Sequence, residues 1–133
     1  MSAVVADTQA VVWYLTEPGR LTPDAVAAMD QATDAGASIW VASITLVELR
    51  YLVEKKRLPS TVLEALTMAL DDEGSAFELA ALTREVADAV GDVAREKVPD
   101  MPDRIIAATA HALGLPLVTS DRQIRASGIA VIW

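Results

Sequence analysis

Four acidic residues stand where an α/β chain places its chemistry. Asp7 ends the apolar run Ala3-Val4-Val5-Ala6, and Asp121 comes just beyond the run Leu115 to Thr119, after Ser120. Glu48 falls in the first turns of the helix expected after Ser38 to Ala42, and Asp103 opens the helix that leads to Leu115. In an open parallel sheet, ligands bind beyond the carboxyl ends of the strands, so these positions bear most directly on function. Each also has a plain structural reading. Asp7 and Asp121 suit helix N-caps, Asp103 with Asp100 suits a helix dipole, and Thr45-Leu46-Val47-Glu48 has the spacing of a capping box. None of these readings explains why four carboxylates gather at one edge, where they repel each other in the absence of a counter-ion. Glu48 lies four residues from both Ile44 and Leu52 on one helical stripe, which draws its carboxylate into partly apolar surroundings. An unpaired charge there is costly. A hard divalent cation answers both problems, and oxygen ligands without Cys or His select Mg²⁺ or Mn²⁺ over zinc. Such a site can generate a metal-bound hydroxide and stabilise the attacking and leaving oxygens of an in-line displacement.

The elements that must carry these acids follow from periodicity and punctuation. Ala3 to Ala6 reads as a strand and Gln9 to Leu15 as a helix broken by Glu17-Pro18-Gly19. Thr22 caps a helix with Pro23 in its first turn, running to about Asp34 and closed by Gly36. Ser38 to Ala42 is a second strand. Ser43 or Thr45 is expected to cap the next helix, which ends in the cations Lys55-Lys56-Arg57 before Pro59. Thr61 to Leu70 is a helix, Ala76 to Ala81 a strand, and Thr83 caps a helix expected to run towards Lys97. After the turn Val98 to Pro102, a helix from Asp103 to Leu113 is closed by Gly114, and strands follow at Leu115 to Thr119 and Ile129 to Ile132. Apolar strands without alternation, separated by helices, predict a three-layer α/β/α sandwich around a central parallel sheet of four to five strands. With no linker or repeat, residues 1–133 read as a single domain.

Composition narrows the classes further. The 133 residues contain no cysteine, which removes thiol catalysis, zinc-thiolate sites and disulfide scaffolds and fits a reducing cytoplasm. At 53% hydrophobic residues the chain is too apolar for a solvated coil. No Lys or Arg precedes the apolar start and Asp7 interrupts it, so neither a signal peptide nor a membrane span is expected, and the expected location is cytoplasmic. The net charge of -8 argues against a protein that simply coats nucleic acid. A nucleic-acid substrate would have to be held by a metal and a few arginines, weakly and with strong salt dependence.

The blocks Val4-Val5-Ala6-Asp7-Thr8, Ser43-Ile44-Thr45-Leu46-Val47-Glu48-Leu49, Pro102-Asp103-Arg104-Ile105-Ile106-Ala107-Ala108-Thr109-Ala110 and Leu117-Val118-Thr119-Ser120-Asp121-Arg122 have a familiar order and spacing. Together they resemble the PIN-domain ribonucleases, specifically the VapC-like toxins of type II toxin-antitoxin systems, over nearly the whole chain. The resemblance implies a Mg²⁺- or Mn²⁺-dependent endoribonuclease in which Asp7, Glu48, Asp103 and Asp121 form the acidic site, leaving a 5′-phosphate and a 3′-hydroxyl. It implies that Thr119 and Ser120 orient a water or a metal ligand. It also implies a cognate VapB-like antitoxin, often with a basic side chain in the acidic site, and a homodimer. Gln9 departs from the family pattern and bears on substrate contacts rather than on metal binding. Asp100 is outside the four acids carried over.

The remaining polar residues have humbler expectations. Arg104, Arg122 and Arg125 neighbour the acids and are candidates for RNA phosphate contacts, with local ion pairs as the alternative. His111, about two turns from the acidic end of its helix, is expected at the surface. Lys55-Lys56-Arg57 reads as a solvated helix end, and Trp13, Tyr14, Trp40 and Trp133 as packing residues. Two other classes compete. An aspartyl phosphatase wants a second acid two residues after Asp7, where this chain has Gln9, and a receiver-like signalling module wants an acidic pair and a later lysine that are missing.

Overall fold

The computed structural model describes residues 2–133. Its strands are β1 (Val4–Ala6), β2 (Ile39–Ala42), β3 (Phe77–Ala80), β4 (Leu117–Val118) and β5 (Val131–Ile132). The helices are α1 (Thr8–Thr16), α2 (Pro23–Asp34), α3 (Ser43–Glu54), α4 (Ser60–Asp71), α5 (Arg84–Ala89), α6 (Met101–Leu113) and α7 (Arg122–Ala126). All strand pairs are parallel, in the order β3-β2-β1-β4-β5. β1 therefore lies in the middle, and chain order reverses direction across the β1/β4 junction, where a crevice opens beyond the strand ends.

Alternation along β1 divides the interior into two layers. Val4 and Ala6 pack with Ala10, Val11, Met29, Ile39, Val41, Leu49 and Leu66, under α1 to α4. Val5 faces the other way and packs with Val86, Ile106, Ala107, Leu117 and Ile124, under α5 to α7. Burying each such Val, Leu or Ile contributes about 1.5–3 kcal/mol, and both faces of β1 are covered. This is the expected α/β/α sandwich with five parallel strands. Its helix starts follow local chemistry. The Thr22 hydroxyl accepts the Ala25 amide at 3.1 Å with Pro23 behind it, and the Thr83 hydroxyl accepts the Val86 amide at 3.2 Å.

Three expectations are corrected. Neither Ser43 nor Thr45 caps α3, whose N-cap is Ala42 with no side-chain bond, because Thr45 is fully buried and turned towards α1. α6 begins at Met101 rather than Asp103, capped by Asp100 with Pro102 in the first turn. The helix after Thr83 stops at Ala89 in a tight turn over Val90–Asp92 instead of reaching Lys97. Gly91 weakens it, and beyond it Val93 and Val98 enter the core, a path that a continuing helix would not follow.

Three helices end in the same motif, in which the amide just after a left-handed residue bonds a carbonyl five residues back. The pairs are Ala37 with Ala32, Arg57 with Leu52 and Leu115 with Ala110. The motif requires a left-handed residue, supplied by Gly36 and Gly114 at φ +68° and +66°, but at the end of α3 by Lys56 at φ +58°. A side chain in that conformation costs about 1–2 kcal/mol. Lys56→Gly is therefore expected to raise the thermal midpoint by several degrees, and Gly114→Ala to lower it; calorimetry on the two variants checks both signs.

Candidate acidic active site

The topology delivers the acids to the β1/β4 crevice. Asp7 follows β1 directly and caps α1, with Oδ1 accepting the Ala10 amide at 2.8 Å. Asp121 caps α7 from the far side of the crevice, its Oδ1 accepting the amides of Gln123 (2.8 Å) and Ile124 (3.3 Å). The cap readings and the site readings are thus compatible, because these bonds use one carboxylate oxygen and leave the other. Thr119, fully buried at the end of β4, accepts the Asp121 amide at 3.1 Å, and its hydroxyl side chain favours the charged form of Asp7. Asp103 sits in the first turn of α6, its own amide bonded to Asp100 at 3.2 Å.

A cavity of about 670 Å³ opens here, with Asp7, Asp103, Asp121 and Ser120 in its wall. Glu48 stands outside that wall and is joined to it through Thr8, whose hydroxyl donates to Glu48 Oε1 at 2.7 Å. Thr8 Oγ1 also lies 3.0 Å from Thr45 Oγ1. Since the single Thr8 proton goes to Glu48, Thr45 donates to Thr8, and a half-buried hydroxyl relay aims the carboxylate. The capping-box reading of Glu48 fails for the same reason.

Electrostatics mark this edge as under strain. Burial raises the Asp7 carboxyl above its ordinary value, partly offset by Thr119 and the Ala10 amide, with Asp121 and Glu48 adding repulsion. Burial likewise raises Glu48, opposed by the Thr8 hydrogen bond and reinforced by Asp100. Asp103 is pushed up to about 7, first by burial and then by Asp100, Asp121, Glu48 and Asp7. It is the one carboxylate that feels all the others. Among the described residues, no three acidic or imidazole groups form a ready-made metal cage. The gathering is therefore looser than four ligands around one ion.

Sequence reasoning missed two participants. Thr8 was legible only as a hydroxyl next to Asp7, and its partner lies 40 positions away on α3. Asp100, set aside as a cap, does cap α6 yet also acts on Asp103 and Glu48. Arg104, expected to reach RNA phosphates, points elsewhere. Its Nε and Nη2 donate to Val93 O at 3.2 and 2.9 Å, and Nη2 to Val90 O at 2.8 Å, so it secures the turn after α5. Arg122 and Arg125 are exposed on α7, outside the cavity wall. His111 lies at the surface, 3.4 Å from Asp92.

A three-layer α/β/α fold with acids fanned around the central strand end defines the class. Residues 4–128 match the PIN domain, and the chain belongs to that family. Ribonuclease VapC22 of Mycobacterium tuberculosis is 30% identical over 125 residues, spanning 94% of this chain and 92% of that protein. Among solved structures, VapBC2 from Rickettsia felis bound to a DNA fragment from their promoter superposes with a TM-score of 0.73 at 18% identity, covering 97% of this chain and 96% of the other. FitAcB from Neisseria gonorrhoeae gives 0.61 at 24% identity, covering 96% and 95%.

Asp103 binds its proton near pH 7 when folded but near 3.8 when unfolded, so in the metal-free chain the native state holds the extra proton between those values. Stability from this group is lost as pH rises towards and through 7. In EDTA the urea midpoint is expected to rise from pH 8 to pH 5.5. Asp103→Asn should raise the midpoint at pH 8 and flatten that dependence; an unaltered slope in the variant would contradict the assignment.

Proposed function

We propose that this chain is a metal-dependent endoribonuclease toxin of the VapC type, held inactive by a cognate antitoxin. The observation that carries the reading is Asp103, whose carboxyl is pushed up to about 7 amid Asp7, Glu48, Asp100 and Asp121 at a strand-end crevice. Kinship to a VapC ribonuclease over 94% of the chain supports the same activity. The donor set fits a hard cation. All the groups are carboxylate or hydroxyl oxygens, and Mg²⁺ takes one or two carboxylates directly while keeping waters, so it needs no closed cage. Asp7, Asp103 and Asp121 would hold such an ion from the cavity wall, with Glu48 beside them adding negative charge. Bound there, Mg²⁺ or Mn²⁺ supplies Lewis-acid polarisation of the phosphodiester and a water acidic enough to attack it.

The chain's own side chains do the rest. Thr8 and Thr45 fix Glu48 so that its second oxygen is free to order a water or accept its proton. Thr119, buried at the end of β4, accepts the Asp121 amide and so holds the start of the turn that carries Asp121. Ser120, exposed in the cavity wall, would position substrate or water. The same uncompensated acids suit a basic antitoxin side chain, which would relieve their repulsion and occupy the substrate's place. The VapBC and FitAB assemblies of the structural neighbours support a partner of this kind.

Incubating the protein with single-stranded RNA in Mg²⁺ or in EDTA is the direct test. Cleavage is expected only with metal, and Asp7→Asn or Asp103→Asn should reduce it by about a hundredfold or more while the fold, read by circular dichroism, persists. Cleavage that survives either substitution removes this site from the reaction. Thr8→Val is expected to lower kcat about ten- to hundredfold with little change in KM, as for other groups that orient a ligand without touching substrate.

A further inference from the structure

The cavity does not end at the acids. Its wall also includes Val12, Trp13, Leu49, Leu52 and Leu58 and two guanidinium groups, Arg20 and Arg57. Arg20 comes from the short turn after α1 and lies over the Trp13 ring at 4.4 Å, an attraction that holds the cation in place. Its one ion pair is with Glu17 at 3.2 Å, and both partners are exposed, so that pair is weak. Arg57 follows the left-handed Lys56, whose turn sets the direction in which the chain leaves α3. Among the described residues, no carboxylate pairs with Arg57. In a chain of net charge -8, one cavity wall thus holds Asp7 at the N-terminal end of α1 and two cations beyond the C-terminal ends of α1 and α3.

We propose that Arg20 and Arg57 are the phosphate-holding end of this cavity, gripping single-stranded RNA while another phosphodiester of the same strand lies among the carboxylates. This rests on the nuclease reading. Trp13 is a positioning residue that keeps Arg20 in the wall. Charge complementarity selects the occupant: two guanidinium groups attract a polyanion and repel a basic peptide, while the apolar stretch between them and the acids suits the faces of unstacked bases. The left-handed strain at Lys56 is consistent with this placement, since strained backbone is tolerated where it aims a functional side chain.

The test separates binding from cleavage. Anisotropy titrations of a fluorescein-labelled single-stranded RNA in EDTA, over a range of potassium chloride, compare the wild type with R20Q/R57Q, R20K/R57K and the control R84Q. Arg84 lies on α5, outside the cavity wall, in an exposed pair with Asp88. R20Q/R57Q is expected to bind about tenfold or more weakly, with the slope of log affinity against log salt reduced by about 1.4, or roughly 0.7 per lost phosphate contact. R20K/R57K should keep the slope, and R84Q should match the wild type. In Mg²⁺, R20Q/R57Q should raise KM with kcat nearly unchanged. An unchanged affinity and slope in R20Q/R57Q, an equal loss in R84Q, or no RNA binding by the wild type overturns the proposal. Loss of antitoxin capture alone does so too, and assigns this end to a protein partner. RNA binding that obeys the arginines without any cleavage in Mg²⁺ supports the proposal while refuting the nuclease reading.

Discussion

Mutual repulsion among carboxylates at the end of β1 and β4 is the constraint around which this molecule is arranged. Desolvating a carboxylate is costly, and desolvating several together is worse because each raises the others. The fold bears that cost by satisfying one oxygen at a time. The Ala10 amide bonds Asp7, the Gln123 and Ile124 amides bond Asp121, and the Thr8 hydroxyl bonds Glu48. Asp103 has no such donor, and its carboxyl is pushed up to about 7 by burial and by its acidic neighbours. The residual strain is what a divalent cation, or a cationic inhibitor, would relieve.

The scaffold makes this tolerable because β1 is central. Val5 and Ala6 are fully buried, and helices cover both faces, so the strand end cannot shift to separate Asp7 from its neighbours. Arg104 illustrates the same priority. The most obvious cation near the acids is spent on Val90 and Val93 carbonyls, fixing the turn that lets Val93 and Val98 enter the core. The guanidinium next to Asp103 in sequence therefore does not neutralise the site. Positive charge in the cavity wall is instead carried by Arg20 and Arg57, beyond the C-terminal ends of α1 and α3.

Much of this could be read in advance, and the errors have specific causes. Strand ends, glycine stops and threonine caps depend on a few adjacent residues, so β1, α2 and the closure of α6 are legible locally. The helix after Thr83 was overextended because Ala and Val spacing continues past Gly91, whereas the carbonyls there are claimed by an arginine eleven residues on. Thr45 was expected to cap because its spacing to Glu48 is right, but burial beside Thr8 decides otherwise.

By itself, the sequence determined the kind of chemistry: acids after apolar strands, no thiol, a single histidine, and four blocks in a recognisable order. Those facts rest on residue type and short spacing, which the chain carries without folding. Only the tertiary structure decided which groups act on one another. Thr8 reaches Glu48 across 40 positions, Asp100 bears on two carboxylates while capping a helix, and Arg57 shares a cavity wall with Asp7. Such pairings depend on strand order and on which face of a helix is buried, and neither is set by any local stretch of sequence.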